Sequence, residues 1–113
     1  MSLAVREAET FEMDVARQFA WYLDEAGEKL AWRFKHSVDA TLLKLARQPD
    51  LGRIRHFRNP LLKGVRSFSV ETPFKQLLVF YRIDDQALVA WRLMHGSRDL
   101  PRRLAEPPVA GRN

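Results

Sequence analysis

The residues with the most chemical potential are five cations in the C-terminal half: Arg66, Arg82, Arg92, His95 and Arg98. Converging guanidiniums could grip a phosphate through their planar forks, and His95 could carry a proton near neutral pH. Metal-independent cleavage of a phosphodiester needs a base, cationic donors for the phosphate and an acid for the leaving oxygen. His95 and Arg98 also admit a purely structural reading. A histidine at a strand end caps backbone groups, and Arg98 with Asp99 can fix the chain's exit from a sheet. Other chemistries lack their residues. With no cysteine there is no disulfide, thiolate zinc site or thiol nucleophile. His36, His56 and His95 do not have ligand spacing, and no serine sits in a nucleophile framework, so no metal or cofactor is expected.

The elements that must position these cations lie mainly between Gly64 and Leu100. Val65–Val70, Leu77–Ile83 and Ala87–Met94 read as three strands. Asp84-Asp85-Gln86 is a short polar hairpin turn, and Glu71-Thr72-Pro73 forms the earlier connection, so neighbouring strands are antiparallel. The two strongest runs are apolar at nearly every position, so both sheet faces need cover. By alternation Leu78, Phe80 and the row Leu88, Ala90, Arg92, Met94 share one side, which leaves an apolar face to accept a partner's helix or strand.

Upstream, Phe11, Val15, Phe19, Tyr22 and Ala26 recur at helical spacing. Thr10 is a candidate N-cap, Asp14 adds negative charge to the first turn, and Gly27 ends the helix. A second helix spans Glu28 to Arg47, with Leu30, Phe34, Val38, Thr41, Leu42 and Leu45 on one stripe, and Gln48-Pro49 stops it. So short a link makes an antiparallel helical hairpin whose stripe covers one face of the sheet. Leu3 to Ala8 can add an edge strand. The long connection Asp50–Lys63 carries Arg53, Arg55, Arg58 and Lys63, with Ile54, Phe57, Leu61 and Leu62 to anchor it. The fold expected is α+β: an N-terminal helical hairpin on a three- to four-stranded antiparallel sheet, one domain over 1–100 and a mobile tail over 101–113.

The chain has 113 residues, 46% of them apolar, enough for a hydrophobic core. No apolar run approaches the roughly 20 residues of a membrane span, and the start has no signal-peptide core, so a cytoplasmic protein is expected. Nineteen basic against 14 acidic residues leave a net charge of +5, mostly arginine. That balance suits a nucleic acid or an acidic protein, and equally a merely solvated surface.

Taken in order, these segments resemble the RelE/ParE toxin superfamily of bacterial toxin–antitoxin systems, in its ParE-like (plasmid stabilisation) branch. The likeness covers about residues 3–100. It is carried by Asp14 with Trp21-Tyr22, Arg33-Phe34, Pro49-x-x-Gly52, Gly64-Val65-Arg66, Val79-Phe80-Tyr81-Arg82 and His95-Gly96-Ser97-Arg98-Asp99. The resemblance implies a toxin neutralised by a cognate antitoxin and directed at DNA gyrase, with no reaction of its own. Arg92, His95 and Arg98 are then candidates for target binding. The alternative in the same superfamily is a ribosome-dependent mRNA endonuclease, for which Arg66, Arg82, His95 and Arg98 would be catalytic. Such nucleases usually carry a tyrosine near the C-terminus, whereas Tyr22 and Tyr81 are the only tyrosines here and Pro101–Asn113 holds none. A third reading is a non-toxic, antitoxin-binding partner in autoregulation.

Antitoxin contacts are expected at two places. Trp32 lies about 160° around its helix from Phe34, off the core stripe, with Leu43 on the same side. Trp21 is likewise off its stripe. Either these rings fill the crevice between the helices, or they form an exposed interface. Arg53, Arg55, Arg58 and Lys63 form the second place, a basic loop that could attract an acidic segment.

Overall fold

The computed structural model describes residues 2–96. Two helices cover one face of a five-stranded mixed sheet. The elements run β1 (Ala4–Glu7), α1 (Glu9–Ala26), α2 (Glu28–Arg47), β2 (Arg53–Ile54), β3 (Arg66–Ser69), β4 (Leu77–Asp84) and β5 (Ala87–His95). Short 3-10 turns at Pro49–Leu51 and Pro60–Leu62 fill the connection between α2 and β3. The α+β class and the helical hairpin are as expected from the sequence. The sheet is larger and not wholly antiparallel: its order is β1-β5-β4-β3-β2, and β1 lies parallel to β5. Parallel neighbours need a long crossover, and here all of the chain from α1 to β4 provides it.

Each helix forms where its apolar stripe finds the sheet. Phe11 and Val15 of α1, and Ala31, Phe34, Val38, Leu42 and Leu45 of α2, are buried. All of these but Ala31 pack with Leu77, Val79, Tyr81, Leu88, Ala90 and Leu93 in the main core. Gly27 joins the helices at φ +94°, a conformation that a Cβ would disfavour. Thr10 is not the N-cap. The helix begins at Glu9 after Ala8, and Thr10 Oγ1 instead donates to the Trp91 carbonyl at 2.7 Å, stitching α1 to β5.

Strand alternation breaks in β5. Phe80 is opposite Arg92 while the next residue, Tyr81, is opposite Ala90, so Trp91 is the extra residue of a bulge. The row Leu88, Ala90, Arg92, Met94 therefore does not share one side. Leu88 and Ala90 enter the main core under the hairpin, whereas Met94 joins Phe80 and Leu78 on the far face. That far face is not left open as expected. Leu62 and Val65, fully buried, and Phe57, partly buried, close over it as a second small core. Of the other expected loop anchors, Ile54 and Leu61 are exposed, Leu61 at 72%.

Candidate functional site

Among the described residues, the most densely bonded polar cluster joins α1 to β5. Asp14 is buried and accepts from Arg92 twice, Nε to Oδ2 at 2.7 Å and Nη2 to Oδ1 at 3.1 Å. The Leu93 amide donates to Oδ2 at 3.0 Å and Arg17 Nη2 to Oδ1 at 3.2 Å. A bidentate, charge-assisted pair with a further backbone donor meets the condition for burying two charges together. Asp14 is thus no dipole-compensating surface acid, and Arg92, 5% exposed, is not a target-facing cation. The cluster floors an open cavity of about 290 Å³ lined by Asp14, Arg17, Gln18, Arg92, Leu93, Met94 and His95. His95 is the exposed member, at the end of β5.

The proposed catalytic cations do not converge. Arg66 is opposite Tyr81 across β3 and β4. Its Nη1 donates to the Gly52 carbonyl at 2.7 Å, and its Nη2 lies 3.5 Å from Asp50. Arg82, the next residue after Tyr81, points to the other face and donates to the Leu61 and Lys63 carbonyls at 3.2 and 3.3 Å. Both hold the ends of the long connection in place. His95 is opposite Leu77, five positions along β4 from Arg82, or roughly 17 Å at strand rise. Arg98 lies outside the described residues, as do Ser97, Asp99 and the tail.

The phenols are also committed. Tyr81 OH accepts from the Gly52 amide at 2.8 Å and donates to the Pro49 carbonyl at 2.7 Å. Burial pushes its pKa up, against the opposing pull of the Gly52 N–H and Arg66. Tyr22, also raised by burial, packs its ring between Phe34 and Phe74. Among the described residues no three metal-ligating side chains cluster, and no helix is long and apolar enough to cross a membrane.

The expected partner-binding residues fall on separate surfaces. Trp32 and Leu43 are exposed on the outer face of α2, at 49% and 58%. Trp32 leans across to α1, its ring 4.9 Å edge-on from Phe19 and 6.3 Å from His36. It therefore fills the helix crevice and offers a face to solvent at once. Trp21 is 42% exposed and edge-on to Tyr22. Arg53, Arg58 and Lys63 are exposed around the far-face connection. Arg55 differs from its neighbours: its guanidinium lies 5.8 Å from the Phe57 ring and 6.0 Å from Phe80, with Nη1 on Ser67 Oγ at 3.2 Å. Burial, then the nearby Arg53, lowers its pKa. Arg55 clamps the loop to the sheet, which explains how a loop with two exposed anchors stays seated.

Sequence reasoning missed the roles of Asp14 and Tyr81. A signal for Asp14 existed: it shares the helical stripe of Phe11 and Val15, where a carboxylate must find a cation.

The architecture is thus an α+β fold with a helical hairpin on one face of a five-stranded mixed sheet and its described cations dispersed. Two solved structures share it. The chromosomal ParDE toxin–antitoxin system of P. aeruginosa matches with a TM-score of 0.69 at 14% identity, covering 85% of this chain and 98% of that one. The RelBE2 toxin–antitoxin complex of Mycobacterium tuberculosis matches at 0.58 and 23% identity, covering 85% and 100%. No curated protein sequence is significantly similar. Residues 5–100 match the family described as the ParE toxin of type II toxin-antitoxin system, parDE. The chain belongs to that ParE toxin family, and it is a type II toxin.

Proposed function

We propose that this toxin is held inactive by a cognate antitoxin in the cytoplasm and that, when released, it inhibits DNA gyrase without catalysing a reaction itself. The family match over residues 5–100 carries the reading. Two further observations support it over ribosome-dependent mRNA cleavage. Arg66 and Arg82 are turned to opposite faces and bound to backbone carbonyls, and the Tyr81 phenol is locked between Pro49 and Gly52. A nuclease would need such groups gathered about one phosphate. His95 and Arg98 remain the target-binding candidates, since Arg92 is taken by Asp14. Purified protein, freed of antitoxin, is expected to inhibit supercoiling by gyrase, and its induction in cells to cause filamentation and DNA-damage signalling. Rapid translation arrest with cleaved messenger, and gyrase unaffected, would refute the proposal; absence of any growth effect would point instead to a non-toxic regulatory partner.

A further inference from the structure

A crevice on the hairpin's outer side has a composition unlike the rest of this basic molecule. It encloses about 390 Å³ between β1, α1 and α2, lined by Glu7, Glu12, Val15, Ala16, Phe19, Trp32 and Lys35. Its two ends differ. Phe19 and Trp32, edge-on at 4.9 Å, make one end aromatic. Glu7 and Glu12 make the other end acidic, with Asp39 close enough to act on Glu7. Lys35, the cation on this rim, is committed to Asp39 at 2.7 Å. Among the described residues neither Glu7 nor Glu12 has an ion-pair partner within 4 Å. Three carboxylates against one ammonium leave this end at about −2 in a chain whose net charge is +5. Burial pushes the Glu7 carboxyl up, followed by smaller effects of Lys35, which opposes it, and of Asp39 and Glu12, which reinforce it. Lys35 thus only partly offsets the burial of this carboxyl.

Resting on the proposal that an antitoxin binds this chain, we infer that the crevice receives an arginine-bearing amphipathic segment of that antitoxin, its apolar side chain on Trp32 and Phe19 and its guanidinium at Glu7 and Glu12. The spacing fits: Glu12 and Phe19 are seven residues apart on α1, about 10 Å along the axis. That is longer than one side chain needs and suits an apolar residue and an arginine up to about two helical turns apart. The floor of Val15 and Ala16 takes the aliphatic stem of the arginine, which is apolar up to its tip. Two carboxylates suit a guanidinium's several donors better than a point charge. The crevice therefore selects a partner segment whose charge is opposite to the one that the molecule's overall charge would attract.

The test uses the protein encoded beside this toxin and titrates it against wild type, Glu7→Gln/Glu12→Gln, and Lys35→Gln. The double variant is expected to bind at least about tenfold more weakly, and Lys35→Gln, which removes the competing cation, to bind no more weakly than wild type. Melting checks the fold. Because the Glu7 carboxyl is raised in the folded chain, its ionised form costs stability at neutral pH and not below its ordinary value of 4.5. The Glu7 change should thus not lower the melting temperature at pH 7, and Glu12→Gln, which removes a first-turn carboxylate of α1, should lower it only by the small loss of a helix-dipole contact. An arginine-to-glutamate change in the antitoxin that restores binding to Glu7→Arg would identify the anchor. Equal affinity of wild type and double variant overturns the crevice assignment while leaving the toxin–antitoxin reading intact. No binding by wild type overturns both. Self-association of the toxin that the double variant abolishes, with antitoxin affinity unchanged, would assign the crevice to a second copy of this chain and overturn the inference.

Discussion

The Tyr81 phenol holds the start of the long connection by bonding Pro49 and Gly52 at once, and Gly52 allows this because it has no side chain. A Cβ there would come within 2.6 Å of the Tyr81 ring. Tyr81→Phe leaves one buried amide and one carbonyl without their partner, and should cost about 1–3 kcal/mol by urea unfolding. Gly52→Ala must displace a fully buried ring and should cost at least as much. If both variants unfold at the wild-type midpoint, the connection is held by other contacts. Asp14 and Arg92 make a second case. Asp14→Ala takes the bidentate carboxylate away from a buried guanidinium and should cost about 3–5 kcal/mol, whereas replacing both partners, Asp14→Leu with Arg92→Met, should restore much of it. Additive losses in that double-mutant cycle would show that the two side chains act independently.

The elements were legible where their information is local. The 3.6-residue recurrence of Leu30, Phe34, Val38, Leu42 and Leu45 marks α2, and Glu28–Arg47 is where it forms. The strands β3, β4 and β5 follow from apolar runs broken by turn residues. What could not be read is pairing between distant segments. Ala4 meets Ala87, and Asp14 meets Arg92 across 78 residues, with no short-range pattern to announce either. The Trp91 bulge is equally silent, and it puts Met94 on the side opposite Leu88 and Ala90; Arg92 is a target-binding candidate by resemblance alone, and nothing near it in the chain announces its buried pairing with Asp14. Trp32 and Leu43 were legible as off-stripe positions, since helix geometry is local too. At the β4–β5 turn the element still carries strain. Asp85 and Gln86 have φ of +50° and +64°, the left-handed conformation that a two-residue hairpin requires. Gln86→Gly removes a penalty of about 1–2 kcal/mol and gives back part of it as chain entropy. A net gain of up to about 1 kcal/mol is expected in thermal unfolding, and a loss would mean that the Gln86 side chain makes a compensating contact.

On the scale of the whole molecule, each sheet face has its own cover, and each cover has an outward surface. The hairpin turns Trp32, Leu43 and the acidic-ended crevice outward on one side. The far-face connection turns Arg53, Arg58 and Lys63 outward on the other. A single short docking segment cannot reach both, so an antitoxin that uses both must wrap around the molecule, and the two contacts should respond differently to salt. Trp32→Ala removes mainly apolar area from a half-exposed ring. It should weaken the complex with little change in its salt dependence, on top of a modest loss of stability in the free toxin from the lost contact with Phe19. Arg53→Glu with Arg58→Glu acts through charges screened over about 10 Å at 0.1 M salt. That pair should weaken the complex at low salt and flatten the dependence of affinity on ionic strength, chiefly through slower association. Titrations of all three proteins across a salt series separate the two contributions. Unchanged affinity in the arginine pair would confine the antitoxin to the hairpin side, and a destabilised free toxin with intact affinity in Trp32→Ala would make that ring a packing residue between the helices.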